Sequence, residues 1–393
     1  MKMKTTAKLS CAFATTILIS FLLLNQGCKK YDEPATSSSN AASDERHGNN
    51  YQVVNLVSDT SEYNPLYIDS NLVNAWGLAF GPTGGVWVSS ADRGLSTIYN
   101  KNGNTLRPPV AIPFGADPNG GNPTGQVYNY TNAFAIPSTG QTSRFIFATE
   151  NGTIAAWASG NSAVIVADRS SQGSVYKGIE IARSGGAWYL YATDFHNGHV
   201  DMFDAGFNYV GSAQFNDPTM PGGYAPFNIR RIEGKLFVTY AKQLAPDFDD
   251  DESGPGNGYV DIYSTGGAFI RRFASQGALN SPWGIERLRK GGDFEDQQGE
   301  DQGENENEGD NEDNDDLVIL IGNFGDGHIN MYKGNGTLIG PLQMNGTPIE
   351  IEGLWAISYP PQGNAAYRDV SNRLYFTAGP DDEEHGVFGY ISQ

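Results

Sequence analysis

Six polar residues stand at comparable places along the chain, each just after a short β-forming run: Asp92, Glu150, Asp194, Lys242, Asn323 and Asp381. Three asparagines, Asn74, Asn132 and Asn280, precede a second recurring string, made of an aromatic residue, a small residue and Leu or Ile. Hard cations take oxygen donors from carboxylates and amides, so Glu150, Asp194, Asn323 and Asp381 could hold calcium if the fold brought them to one point. Asp and Asn at strand ends also cap turns by accepting from nearby backbone amides, and that reading stands beside the first. Four histidines, His196, His199, His328 and His385, fall within two residues of a recurring loop glycine. One of them beside Asp194 or Asp381 could serve as a general base or a metal ligand near neutral pH. As exposed loop residues they would do neither, and no His-x-x-x-His spacing marks a zinc site. The run Asp247-Phe248-Asp249-Asp250-Asp251-Glu252 begins like a calcium loop, but Glu252 occupies the sixth position and Gly258 the twelfth. An EF-hand needs Gly and Glu there, which leaves adventitious calcium or a solvated acidic loop.

These residues share a face only if a repeated architecture carries them to it, and the chain has one, with a period of about 50 residues. The aromatic–small–aliphatic string recurs as Trp76-Gly77-Leu78, Phe134-Ala135-Ile136, Phe227-Asn228-Ile229, Trp283-Gly284-Ile285 and Trp355-Ala356-Ile357, with Lys177-Gly178-Ile179 as its deviant member. A small residue suits an innermost strand, where several backbones converge on a narrow axis. Each copy is followed by a β-rich run, a polar loop with a glycine and another β-rich run; Gly198 to Phe203, Gly258 to Tyr263 and Gly327 to Tyr332 show the second half of the unit. Gly before a strand fits a tight antiparallel turn because it tolerates positive φ. Six such units predict an all-β fold, a six-bladed β-propeller with four-stranded antiparallel blades. Tyr51 to Leu56 would close the ring beside Tyr390-Ile391, leaving no open edge. In that architecture the inner-strand entries and second-strand exits open on one face around the central channel, where ligands usually bind.

The strings Asn55-Leu56-Val57-Ser58-Asp59, Asn71 to Leu78, Asn280 to Gly284, Gly322-Asn323-Phe324-Gly325-Asp326-Gly327 and Thr377 to Glu383 resemble an uncharacterised family of exported bacterial propellers. The likeness runs from about Tyr51 to Tyr390, and the family is related in architecture to NHL-repeat and gluconolactonase-like propellers. The resemblance implies the propeller fold and no particular activity. Gluconolactonase-like propellers hold a cation in a polar ring to polarise a lactone or ester, which is what the resemblance adds to the oxygen-rich set above.

The first thirty residues place Lys2, Lys4 and Lys8 before an apolar stretch from Leu9 to Leu24 and then Asn25-Gln26-Gly27-Cys28. The stretch is shorter than the roughly 20 residues of a spanning helix, so residues 1–27 read as a lipoprotein signal peptide. Cys28 is the expected lipidation site, although the usual Leu three residues before the Cys is displaced to Leu24. Residues 28–50 then form a polar tether, and 51–393 the propeller. Cleavage before Cys28 would leave no disulfide in the mature chain, since Cys11 is the only other cysteine. The net charge is −20, and thirteen of the acids lie between Asp293 and Asp316, within a low-complexity insertion of about 291–316 in the fifth blade. That insertion reads as a solvated loop or a weak calcium sponge. No basic patch with interleaved aromatics offers itself to nucleic acid, and no Walker loop, Gly-x-Ser-x-Gly elbow or dinucleotide fingerprint is present.

Two functions follow as expectations. The first is a monomeric, exported lipoprotein on the outer membrane or cell surface of a Gram-negative bacterium. Outer-membrane lipid would hold its Cys28, and its channel face would bind a glycan, a protein or a small molecule. The alternative is a calcium-assisted hydrolase or lactonase at that same face. The channel-face candidates in either case are Asn74, Asp92, Asn132, Glu150, Asp194, His196, Lys242, Asn280, Asn323, Asp381 and His385.

Overall fold

The computed structural model describes residues 51–212, 214–289 and 317–393. The signal peptide, Cys28, the tether and the acidic insertion expected from the sequence lie outside these residues. The described chain is nearly all β and forms six antiparallel blades, each ordered from the axis outwards. Blade one consists of Ala75–Phe80, Gly85–Ser90, Leu95–Asn100 and Val110–Ala111, and blade two of Pro123–Tyr128, Phe145–Thr149, Thr153–Trp157 and Val164–Asp168. Blade three runs Tyr176–Ser184, Ala187–Asp194, His199–Asp204 and Tyr209–Gly211, and blade four Tyr224–Ile232, Lys235–Lys242, Gly258–Tyr263 and Phe269–Ser275. Blade five is Pro282–Arg287, Val318–Asn323, Ile329–Lys333 and Leu338–Pro341. Blade six takes Leu354–Ser358, Leu374–Ala378 and Val387–Ser392 from the C-terminal end and Gln52–Ser58 from the start of the domain. Val53 faces Ile391 and Val54 faces Tyr390 in that last pairing, so the ring closes where the sequence pattern placed the closure. Hydrophobic clusters fill the spaces between neighbouring blades. Among the described residues no helix is long and apolar enough to cross a membrane.

The innermost strands meet in sequence around the axis, the sixth returning to the first. Each has a register shift against its second strand at the recurring string, between Ala75 and Leu78, Pro123 and Gln126, Tyr176 and Ile179, Pro226 and Asn228, Pro282 and Gly284, and Leu354 and Ile357. Such a bulge re-aims the side chain it carries. The small residue beside it is required by distance: a Cβ on Gly77 would lie 2.3 Å from the Thr124 carbonyl oxygen of the next blade. Side chains bridge every blade junction at this level. Gln126 Nε2 donates to the Gly77 carbonyl at 2.8 Å, Thr124 Oγ1 to the Tyr176 carbonyl at 2.8 Å, and Thr193 Oγ1 to the Phe227 carbonyl at 3.2 Å. Asn228 Nδ2 donates to the Trp283 carbonyl at 2.7 Å, the Tyr359 amide to Glu286 Oε2 at 3.2 Å, and Thr377 Oγ1 to the Trp76 carbonyl.

Blade two differs from the sequence reading. Its inner strand is Pro123–Tyr128, with Thr124-Gly125-Gln126 at the recurring position, whereas Phe134-Ala135-Ile136 lies beyond it in the connection to the second strand. Close approach selects the strand: a Cβ on Gly125 would sit 3.0 Å from the Ile179 amide nitrogen. Phe134, at φ 61°, instead buries its ring against Phe207 beside blade three. The aromatic residue carries the repeat pattern and packs between blades, while the glycine is what the axis demands.

A Gly77→Ala variant should therefore lose about 2 kcal/mol or more by overpacking against fixed backbone. Gly222→Ala, where a Cβ meets nothing within 4 Å, should be near neutral, and urea midpoints compare the two.

Candidate functional site

The bulged position of the inner strands carries Trp76, Phe227, Trp283 and Trp355 in blades one, four, five and six, and these rings pack together across the axis. Trp76 stacks on Trp355 with centroids 3.6 Å apart, and Phe324 stacks on Trp355 at 3.9 Å. Below this layer lies a cavity of about 30 Å³ lined by Gln126, Asn228, Arg230 and Ser358, the size of a water molecule. Blade three breaks the aromatic pattern with Lys177, which is 2% exposed. Its Nζ lies 5.1 Å from the centre of the Trp76 ring and 6.0 Å from that of Phe195, an arrangement in which the ring faces attract the cation. Glu150 from blade two pairs with it closely, and Asp250 from the long loop of blade four approaches to 3.5 Å. Burial works against the charge of Lys177, but Glu150, Asp250 and Glu383 outweigh it and hold the amine above its ordinary pKa.

Glu383 from blade six completes the cluster. Its Oε2 accepts from Asn74 Nδ2 at 2.7 Å, and Asn74 Oδ1 accepts from Trp355 Nε1 at 3.0 Å, so the carboxylate is tied to the aromatic layer. Asn74 is in the left-handed region at φ 47°, as are the consecutive residues Asp381, Asp382 and Glu383 at 55°, 52° and 69°. Left-handed backbone costs about 1–2 kcal/mol per residue outside glycine, so this loop holds Glu383 at the mouth against local strain. Burial, and then the charge of Glu150, push the Glu383 pKa from 4.5 to about 7 despite the opposing pull of Lys177.

The residues singled out in the sequence are distributed unevenly over this face. Asn74 and Glu150 belong to the cluster, and Asp92 lies exposed at its rim, close enough to act electrostatically on Glu383. Asp194 is buried and accepts from the Val175 amide at 3.2 Å and from Asn197 Nδ2 at 2.9 Å. Asn323 Nδ2 donates to the Ala278 carbonyl and to Asp326, and Asn280 Oδ1 accepts from the Gly254 amide at 2.6 Å. Lys242 pairs with Glu252, and Asp381 is exposed. Asn132 follows the inner strand of blade two instead of preceding it, and so belongs to the inner-to-second connection. The histidines are scattered: His196 pairs with Asp249 at 2.6 Å, His385 with Asp59 at 2.8 Å, and His328 stands 3.4 Å from Asp326. Among the described residues, Asp194, His199 and Asp201 are close enough together to share a metal ion, with donor atoms within 4.8 Å of one another. Of the four residues expected to hold calcium, that group includes Asp194. Lys177 and Glu383 were not among the expected site residues, and Asp250 was read only as part of an acidic loop with adventitious calcium as one reading. The available signal was Lys177 itself, a cation at a position of the repeat otherwise filled mostly by aromatics.

Because Glu383 binds its proton more tightly in the folded chain than in the unfolded one, its stabilising contribution is complete below 4.5 and is lost as pH rises through about 7. Melting curves should show Tm falling between about pH 5 and about pH 8, with a smaller fall in Glu383→Gln. An identical slope in the variant would assign the effect to another group.

No protein-family model matches the chain. Among solved structures it resembles a streptogramin B lyase (11% identity, TM-score 0.48, 87% of this chain and 97% of that one). It also resembles the virginiamycin B lyase of Staphylococcus aureus (11%, 0.47, 87% and 99%). Its curated relatives include two proteins of Acanthamoeba polyphaga mimivirus. Uncharacterized protein R648 is 29% identical over 359 residues, 87% of this chain and 79% of that protein. Uncharacterized protein L690 is 31% identical over 358 residues, 86% of this chain and 85% of the relative. These relatives are viral, which overturns the expected location in the outer membrane or on the cell surface of a Gram-negative bacterium and does not support membership of an exported bacterial family. A basic start, a short apolar run and one cysteine form a pattern of low specificity. The chain belongs to the family of mimivirus protein L690.

Proposed function

We propose that the protein is a ligand-binding propeller whose ligand docks at the mouth of the central channel, over Lys177 and Glu383. The observation that carries this reading is the buried Lys177. A lysine in place of an aromatic residue costs desolvation that an apolar side chain avoids, and ion pairs seldom repay that cost in stability alone. The strain in Asp381-Asp382-Glu383 points the same way, since departures from local preference gather at functional sites. Glu150, Asp250 and Glu383 face a single ammonium group, and Asp92 adds its charge beside Glu383. The mouth thus favours a small polar ligand that donates hydrogen bonds, and an amine or a polyol fits best.

Acid–base chemistry on a lactone, ester or sugar acid is the second reading, favoured by a Glu383 carboxyl whose pKa of about 7 suits a general acid at neutral pH. In this version the ammonium of Lys177 supplies beside Glu150 the positive charge that calcium was expected to bring.

Thermal-shift titration with amines, sugars and sugar lactones tests both readings. Binding at the mouth predicts a stabilising compound whose affinity drops about tenfold or more in Glu383→Gln and in Lys177→Met. A compound bound equally well by all three proteins would refute the site. Turnover of a lactone with a pH dependence that disappears in Glu383→Gln would select the enzymatic version.

A further inference from the structure

Blades three and four carry the same acid at the same place in their third strands, Asp201 in His199–Asp204 and Asp261 in Gly258–Tyr263. In blade four the acid is paired with an arginine: Arg272 donates Nε to Asp261 and Nη2 to Asp217, bridging the two carboxylates. Blade three has an arginine nearby too, but Arg169 stacks over the Tyr209 ring at 3.8 Å, and its Nε remains 3.6 Å from Asp201 Oδ2 without a hydrogen bond. Asp201 Oδ2 instead accepts from the Tyr176 hydroxyl at 2.6 Å. Asp201 Oδ1 is completely buried and has no hydrogen-bond partner.

His199 Nε2 is 3.0 Å from that oxygen and 3.8 Å from Asp194 Oδ2, yet it too is without a hydrogen-bond partner. The two form an ion pair when the imidazole is protonated; with its proton on Nδ1 alone, both atoms present lone pairs to a third point. Ligands of one tetrahedral zinc, at metal distances near 2.0–2.2 Å, lie about 3 to 3.5 Å apart. Asp194 is oriented for the same point by the amides of Val175 and Asn197 on Oδ1 and by Asn197 Nδ2 on Oδ2, the kind of outer support that fixes a metal-binding carboxylate.

We propose that Asp194, His199 and Asp201 form a site for a divalent transition metal of the zinc type at the end of blade three, separate from the channel-mouth ligand site. One imidazole and two carboxylates suit zinc or its neighbours and do not suit calcium, which takes six to eight oxygens. His199 is about one-third exposed although its Nε2 is buried, so the ion enters where the imidazole edge meets solvent, and its remaining position goes to water. The ion does for Asp201 what Arg272 does for Asp261, and it ties the end of the second strand to the third.

The test uses untagged protein stripped with a chelator and titrated with zinc, following uptake by calorimetry and by competition with a chromophoric chelator. One zinc per chain at micromolar affinity is expected, weakened by about a hundredfold in His199→Gln, with Asp261→Asn binding as the wild type does. Cobalt-loaded wild-type protein should show the d–d absorption of mixed nitrogen and oxygen coordination, a readout that needs no variant to fold. Failure to bind zinc, or equal binding by His199→Gln, would overturn the site, and neither result bears on the Lys177–Glu383 mouth.

Discussion

Everything in this molecule depends on six backbones approaching one axis within van der Waals contact. The Cβ that Gly77 lacks would fall 2.3 Å from a carbonyl of the next strand, and that of Gly178 would fall 2.4 Å from Asn228 Oδ1. Strands so close cannot keep regular ladders on both sides, and the register shift in every inner strand is where the ladder yields. The freed amides need partners, and hydroxyls of the second strands supply them: Thr193 accepts from the Gly178 amide and Thr377 from the Ala356 amide. Since the same hydroxyls donate to the next blade, the device that relieves crowding also locks neighbouring blades together.

The bulges have a second consequence. They bring one side chain per inner strand together across the axis, so the residue type at that position decides what the channel is. Four aromatic rings, two of them stacked and the others edge-on, make it an aromatic plug. The lysine in blade three turns the upper surface of that plug into a charged one. Its ammonium keeps its charge because acids from three other blades converge on it, while the same crowding of carboxylates raises the proton affinity of Glu383. Charge and proton here belong to the group of residues and to no single one of them.

The blades also serve as internal controls for one another. A buried acid in the third strand of blade four is hydrogen-bonded by an arginine, and its counterpart in blade three faces a histidine and a second acid. Both acids occupy the same strand position, so the difference lies in the side chains around them.

The sequence by itself determined the six repeats, the closure of the ring through Val53 and Val54, and five of the six inner strands, because strand alternation, turn glycines and small residues at crowded positions are local demands that each blade repeats. It misplaced the strand of blade two because Phe134 carries the aromatic signal while Gly125 carries the constraint. The site was only partly legible. Asn74, Asp92 and Glu150 stand out as polar residues at strand ends, but Lys177, Asp250 and Glu383 come from blades three, four and six and have no spacing that links them. Tertiary structure alone decided that these groups meet, since their separations depend on ring closure and on the left-handed loop of residues 381–383. It likewise decided which of the histidines lies between two buried carboxylates, a matter of side-chain direction that no count along the chain contains.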